Sequence, residues 1–417
     1  MKVIFPFSYY YPEQCAGIFV VDDVMHRLAD EGDESKLYVP TPTRNVRQDV
    51  EWKRHELLCA GKIKIHRFRM YQEGKNPILR ALRYVFCEVV YLHHLLWDDY
   101  DVAFIDSTPP IQGLKLPIVR LLRKKPVVYN VQDLFPDTLS GTGLAKKGGI
   151  LWKMGSWVAR VTYNSSDKLI AISEDIKRTL IEEKGVSEEK IEVVYNWVNQ
   201  NVVVPVAKED NPLFEEFNIS RDKFYVVYAG NIGNAQNIDV IVDSAKEMVE
   251  DKDVNFLIFG TGGLKEQFVE KVKNYGIDNV RFFPLQPMEG VSQVYSLGDV
   301  CVVSCKPGLG GAAMPSKMLS IMSAGRAVIA SFDEGELTYI LKNYNCGMYA
   351  PAGNVQAFVQ MVRTMASDRK LCEEMGKNAR KLILERFTRE YATLRYVDII
   401  RKVTENGENS VLGKRSN

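Results

Sequence analysis

The feature that most constrains the fold is an alternation of two periods that runs along nearly the whole chain. Short β-branched runs such as KVIFPF, KLYVPTP, KIKIHRF and DVAFIDS are separated by helix-length segments, among them GIFVVDDVMHRLADEG and a long stretch around residues 77 to 97. Runs of this kind bury both faces of a strand, and the intervening helices supply the covering layers, so the pattern predicts parallel sheets. PVVYNVQDLFP and KLIAISE continue the series, a helix DIKRTLIEEKG follows Ser173, and KIEVVYNWVN closes it. Between Val202 and Arg221 the text turns polar and irregular. A second series then begins with FYVVYAG, NFLIFGTGG, VRFFPLQP, VCVVSCKP and AVIAS, followed by a C-terminal helical stretch.

The chain has 417 residues, which fits two domains better than one core. The reading places an N-terminal domain over residues 1–202, a second over 203–380, a C-terminal helix crossing back over 381–403 and a flexible tail over 404–417. With 54 basic and 53 acidic residues the net charge is +1. That balance gives no general attraction to nucleic acid, so no nucleic-acid partner is expected. Seven cysteines are scattered without a CxxC pair, and five histidines form no HxH or HExxH pattern. Neither a disulfide framework nor a zinc site is indicated, and no cofactor or metal is expected. No run reaches the length needed to span a bilayer and the N-terminus shows no cleavage pattern, so the expected location is the cytoplasm.

Ligands of open parallel sheets bind beyond the carboxyl ends of the strands. In the second half the segments at those places read AGNIGNAQN, FGTGG and KPGLGGAAMPSK, carrying Asn231, Gly233, Gly260, Gly262, Gly311, Ser316 and Lys317. Glycine lets backbone N–H groups approach an anion, and a helix N-terminus adds attraction. Tight strand-to-helix turns alone would also explain any one of these loops. Neither GxGxxG nor GxxxxGK[ST] is present, so the dinucleotide and P-loop signatures both fail. Pro315 suits the start of a helix, which would place Ser316 and Lys317 at its positive end, an arrangement fit for a diphosphate.

Taken in order, YYYPEQCAG, DLFPD, KLIAISEDIKRTL, KIEVVYNWVN, YAGNIGNAQNID, FGTGG and MPSKMLSIMSAGRAVIAS resemble the retaining glycosyltransferases of family 4, in the bacterial branch that acts on lipid-linked O-antigen or capsule precursors. The resemblance covers residues 1 to about 400. It implies the GT-B fold, an α/β architecture of two Rossmann-like domains facing a central cleft. It also implies a nucleotide-diphosphate sugar as donor, UDP-linked by preference, a polyprenyl-diphosphate-linked saccharide as acceptor and a position on the inner face of the membrane. Gly17 would face the diphosphate, Lys317 would neutralise it, Asp133 would stand near the acceptor, and Glu336 would contact ribose or sugar. Two glutamates usual in the family are replaced by Ala312 and Ser320, and the usual basic pair of the first glycine loop by Asn231 and Gln236 or Asn237.

Several features keep two readings. Asp137 and Asp133 suit either an acceptor site or a turn held by Asp and Pro. Asp99 and Asp101 match DxD but lead into a strand. The segment LAKKGGILWKMGSWVARVTY and the helix from Pro77 to Trp97 suit either a membrane interface or a core-facing helix. A GT-B sugar-nucleotide 2-epimerase, or an inactive membrane-docked partner of another transferase, are the alternative functions.

Overall fold

The structure is a computed structural model and describes residues 1–13, 17–43, 51–71, 77–137, 146–310 and 314–412. The chain divides into two compact units, Met1–Tyr195 with Ala392–Asn417, and Asn196–Tyr391.

The first unit holds an eight-stranded sheet built from β1 (Lys2–Pro6), β2 (Glu34–Pro40), β3 (His55–Leu58), β4 (Ile63–Phe68), β5 (Val102–Asp106), β6 (Val127–Val131), β7 (Lys168–Ala171) and β8 (Ile191–Val193), in the order β3-β4-β2-β1-β5-β6-β7-β8. All neighbours are parallel except β3, which pairs antiparallel with β4 at the edge. The edge strand HELL was not expected from the sequence, because its polar start lacks the apolar run of the others.

The second unit holds six parallel strands, β9 (Phe224–Asn231), β10 (Val254–Thr261), β11 (Val280–Phe283), β12 (Val300–Ser304), β13 (Ala327–Phe332) and β14 (Gly347–Pro351), in the order β11-β10-β9-β12-β13-β14. This is the strand order of a dinucleotide-binding Rossmann sheet, and the order reverses between β9 and β12. Phe224 to Tyr228 are all buried, as expected of a strand covered on both faces. The β14 strand, short and with glycine and proline as its end residues, lies in the stretch that the sequence pattern assigns to C-terminal helix.

Helix starts follow local chemistry where the sequence supplies it. The Ser173 side chain accepts from the Ile176 N–H at 3.1 Å, and Asn354 and Asp368 cap the helices Val355–Ser367 and Arg369–Arg386 in the same way.

Two boundaries move. Residues 196–202, expected at the end of the first domain, fall in the second unit, and the irregular stretch after them is stitched into it: Val204 and Val206 donate their N–H groups to Ser292 Oγ and Ser296 Oγ at 3.0 and 3.1 Å, and Arg380 reaches the Val203 carbonyl at 3.0 Å. The C-terminal helical region breaks at Phe387 and Thr388, and the helix Arg389–Leu412 runs through the segment read as a flexible tail. Val403 and Thr404 are buried there, and Gly407 leaves room for Pro126, so packing sustains a helix that lacks apolar periodicity of its own. Among the described residues no helix is long and apolar enough to cross a membrane.

Candidate active site

In the second unit the loops after β9, β10, β12 and β13 share one edge of the parallel sheet. Gly230 and Gly260 are register partners on β9 and β10. A Cβ on Gly260 would lie 2.2 Å from the Gly230 carbonyl oxygen, so glycine here is required by the approach of two backbones. Gly262 is likewise held by packing, since a Cβ would meet the Ile232 carbonyl at 2.3 Å. Asn231 Nδ2 donates to Gln236 Oε1 at 3.2 Å across Gly233, closing the first glycine loop on itself. That loop is tied to the end of β12, where Ser304 Oγ donates to the Gln236 carbonyl at 2.6 Å and the Lys306 N–H to Ala235 at 2.9 Å. The Gly310 N–H in turn donates to Asp333 Oδ2 at 2.8 Å, joining the loops after β12 and β13.

Lys317 sits at the point where the strand order reverses. It is the second residue of the helix Ser316–Ser323, and its side chain lies over Gly230, where an added Cβ would come within 2.4 Å of its Cε. The ammonium donates to Tyr228 Oη at 2.6 Å, 4.1 Å from the ring centroid, and that hydroxyl donates to the Asn231 carbonyl at 2.6 Å. Tyr228 is fully buried and burial pushes its hydroxyl pKa up, so the partner of Lys317 is neutral. Burial lowers the Lys317 pKa to about 8. Among the described residues no carboxylate forms an ion pair with it. A partly buried ammonium without a counter-charge costs stability, and such groups concentrate where an anion is to be bound.

Of the other residues singled out, Ser316 is exposed at the start of the same helix, and Glu336 is buried as the first residue of the helix Glu336–Asn343 that follows β13. Gly311 and Ala312 lie outside the described residues. Tyr228 was not anticipated. Its period-2 relation to Gly230 placed it on the right face, but its link to Lys317 spans 89 residues and is purely tertiary.

The first unit reverses its strand order between β1 and β5. Gly17, with φ +89°, opens the helix Ile18–Asp30, and a Cβ there would meet nothing within 4 Å. Asp133 follows β6 and keeps an exposed surface, so the burial that raises its pKa is crowding at a rim rather than full enclosure. At the end of the adjacent β5 lies Asp106, which the sequence reading passed over as the end of an apolar strand. It is 4 % exposed, accepts from Asn130 Nδ2 at 2.9 Å and the Thr108 N–H at 3.1 Å, and burial raises its pKa to about 7. Asn130 Oδ1 accepts in turn from Tyr396 Oη at 3.0 Å.

The open alternatives divide. Asp137 is taken up in an ion pair with Lys184, whose ammonium also lies 5.9 Å from the Trp152 ring centroid, so Asp137 braces a turn. Asp99 pairs with Lys2 at 2.6 Å and Asp101 accepts the Lys2 N–H at 2.7 Å, so both pin the entry of β1. His94 stacks on Tyr38 at 3.7 Å. Among the described residues no group of three His, Cys, Asp or Glu is placed to hold a metal ion.

Size does not locate the site. A groove of about 1120 Å³ lies at the opposite ends of β12 and β13, lined by Lys208, Asp299, Arg326 and Arg369. Asp299 already meets Lys208 at 3.3 Å and Arg369 at 3.5 Å, and Arg380 is spent on the carbonyls of Gln200, Val203 and Ser323.

Comparison with known proteins agrees with this layout. The chain is 26% identical over 267 residues to the "Probable glycosyltransferase WbjE" of Pseudomonas aeruginosa, covering 63% of this chain and 65% of that protein. It is 29% identical over 255 residues to the "Putative colanic acid biosynthesis glycosyl transferase WcaI" of Escherichia coli strain K12, covering 59% and 62%. Each match therefore spans a little under two thirds of the relative. The crystal structure of Anabaena Alr3699/HepE in complex with UDP superposes with a TM-score of 0.71 at 15% identity, covering 96% of this chain and all of that one, which speaks to fold alone. Residues 19–202 match the family described as Glycosyltransferase Family 4, residues 209–382 match Glycosyl transferases group 1, and with two parallel Rossmann-like sheets beneath those matches the chain belongs to the glycosyltransferases of the GT-B fold.

Proposed function

We propose that the chain transfers a sugar, with retention at the anomeric carbon, from a nucleotide-diphosphate donor to a lipid-linked saccharide in the assembly of a cell-surface polysaccharide. The observation that carries this reading is Lys317, an ammonium with a neutral hydroxyl partner, set at the carboxyl edge of the second sheet. A diphosphate supplies the counter-charge that the protein omits. The relative named for colanic acid biosynthesis supports a polysaccharide product, and the UDP-bound neighbour supports UDP as the leaving group.

In this mechanism the acceptor oxygen attacks the anomeric carbon on the face that the leaving group departs from. The bond from that carbon to the phosphate oxygen breaks, and the departing oxygen takes the acceptor's proton. The protein's work is positioning and neutralisation of developing charge. Lys317 stabilises the diphosphate, aided by Ser316, the helix N-terminus and the backbone near Gly17, Gly233 and Gly311. Glu336 binds ribose or sugar, and Asp133 orients the acceptor hydroxyl. No metal is needed in this scheme, so activity should persist in EDTA.

The test is to incubate the protein with UDP, GDP and dTDP sugars and a polyprenyl-diphosphate sugar, then look for glycosylated lipid by mass spectrometry and read the anomeric configuration by NMR. Inverted product would overturn retention. The replacement of one usual glutamate by Ser320, on the helix that carries Lys317, favours a second reading as a non-catalytic partner. UDP binding without turnover across the whole panel would select it.

A further inference from the structure

The groove of about 1120 Å³ at the amino ends of β12 and β13 has no part in the catalytic reading, and every residue that lines it belongs to the second unit. Its walls are the segment Pro205–Glu209 and the helix Arg369–Arg386, with Ala324 and Gly325, just past the helix Ser316–Ser323, as its floor. Backbone contact fixes that floor. A Cβ on Gly376 would lie 2.3 Å from the Gly325 carbonyl oxygen, and one on Gly325, where φ is +67°, would come within 3.1 Å of Pro205 Cγ. Three segments meet where only small residues fit, so the space above them is built into the packing.

The charge of the groove is not balanced. Seven basic and four acidic side chains line it. Asp299 takes Lys208 and Arg369 at 3.3 and 3.5 Å, and Glu385 takes Lys381 at 3.9 Å, while Glu209 and Glu373 are exposed to solvent. Among the described residues Arg326, Lys377 and Arg380 form no ion pair. Arg326 donates to the Val206 carbonyl at 2.9 Å, but its Nε is buried without a hydrogen-bond partner among the described residues. Arg380 meets only neutral oxygens, and partial burial lowers its pKa. Capping of the helix Ser316–Ser323 accounts for Arg380, since cations favour the last carbonyls of a helix. It does not account for Lys377 and Lys381, which stand one turn apart on the opposite wall.

The walls also have a particular place in the chain. The second unit begins at Asn196 and ends at Tyr391, and these two passages are tied to each other by a bridge between Val198 and Thr388 and by Gln200 Nε2, which donates to Glu390 Oε2 at 2.8 Å. The segment Pro205–Glu209 follows the first passage and the helix Arg369–Arg386 precedes the second. A ligand held between the walls would brace both.

We propose that this groove binds an oligophosphorylated small molecule, with Arg326, Lys377 and Lys381 on its phosphate oxygens and Pro205, Val206 and Leu384 against its apolar part. Guanidinium and ammonium groups are the side chains suited to phosphate, and the volume suffices for a ligand of nucleotide size. The inference goes beyond the catalytic reading and needs neither donor nor acceptor, so each can fail alone. The probe is inorganic tripolyphosphate, titrated by calorimetry into the full chain carrying K317A, which removes the unpaired cation at the carboxyl edge. One molecule per chain is expected, with an affinity that falls as salt is raised. K377E with K381E, added to that chain, alters two exposed side chains, so the thermal unfolding midpoint should hold while affinity falls about tenfold or more. A207W fills the groove without changing its charge and should abolish binding. Absence of binding in the K317A chain, or full affinity in either groove variant, would overturn the proposal.

Discussion

The two sheets reverse their strand order in the same way, yet the two reversal points have opposite chemistry. In the first unit the end of β5, beside the reversal, and the end of β6 next to it present carboxyls, Asp106 and Asp133, and the buried one is satisfied from within by Asn130, Thr108 and, through Asn130, Tyr396. In the second unit the ends of β9 and β12 present a cation, Lys317, that is not balanced by a neighbouring ion among the described residues. A shared topology therefore fixes where a site can form and leaves its charge to a few residues. The unbalanced end is the one proposed to hold the donor's diphosphate.

The largest test of this contrast is Lys317→Ala. If the ammonium acts like other preorganised electrostatic groups, transfer should fall by roughly 2 to 4 kcal/mol of barrier. Because removal of an uncompensated charge also relieves a cost, thermal stability should hold or rise. A variant that loses stability and keeps turnover would break the assignment. Gly230→Ala is next: its Cβ would displace the Lys317 side chain, so activity should drop and overpacking should cost about 1 to 3 kcal/mol in denaturant unfolding.

The third test uses pH and separates the two ends. UDP affinity, measured by calorimetry, should weaken as pH rises through about 8, where Lys317 loses its charge. Asp106 gives the other signature. Its folded-state pKa of about 7 lies above the ordinary carboxyl value, so the folded protein holds the proton that the unfolded chain releases between about pH 4 and 7. Its contribution to stability is therefore present at low pH and is lost as pH rises through 7. Asp106→Asn should remove that slope from a denaturation series. The smallest expected effect is Gly17→Ala, where no atom is in the way and only the positive φ is strained, at about 1 kcal/mol.

Much of the site was legible because glycine and charge are visible in a sequence. Lys317 after Pro-Ser, and glycine loops following three strands, pointed to the carboxyl edge of the second sheet, where the fold lays the Lys317 side chain over Gly230. Glycine could not say why it was there, since Gly260 and Gly262 answer to backbone packing as fully as to any ligand. Tyr228 and Asp106 were hidden inside apolar strands, where a polar residue is read as a strand residue until its partner is known. In the helix Pro77–Trp97, the buried Arg83, which donates to Thr43 Oγ1, and Glu88, which pairs with Lys115, were also invisible, because periodicity shows that a helix has two faces without showing which one is turned to the sheet.

By itself the sequence determined the elements, their alternation and therefore two parallel sheets, because burial on both faces writes continuous apolar runs into the text. It also determined that Lys317 begins a helix after a glycine loop. Only the tertiary structure decided that this lysine would rest on a tyrosine 89 residues away, with no ion-pairing acid among the described residues, and that Arg389–Leu412 would remain helical against the first sheet's unit. Both outcomes depend on contacts between distant segments, whose free energy no local pattern contains.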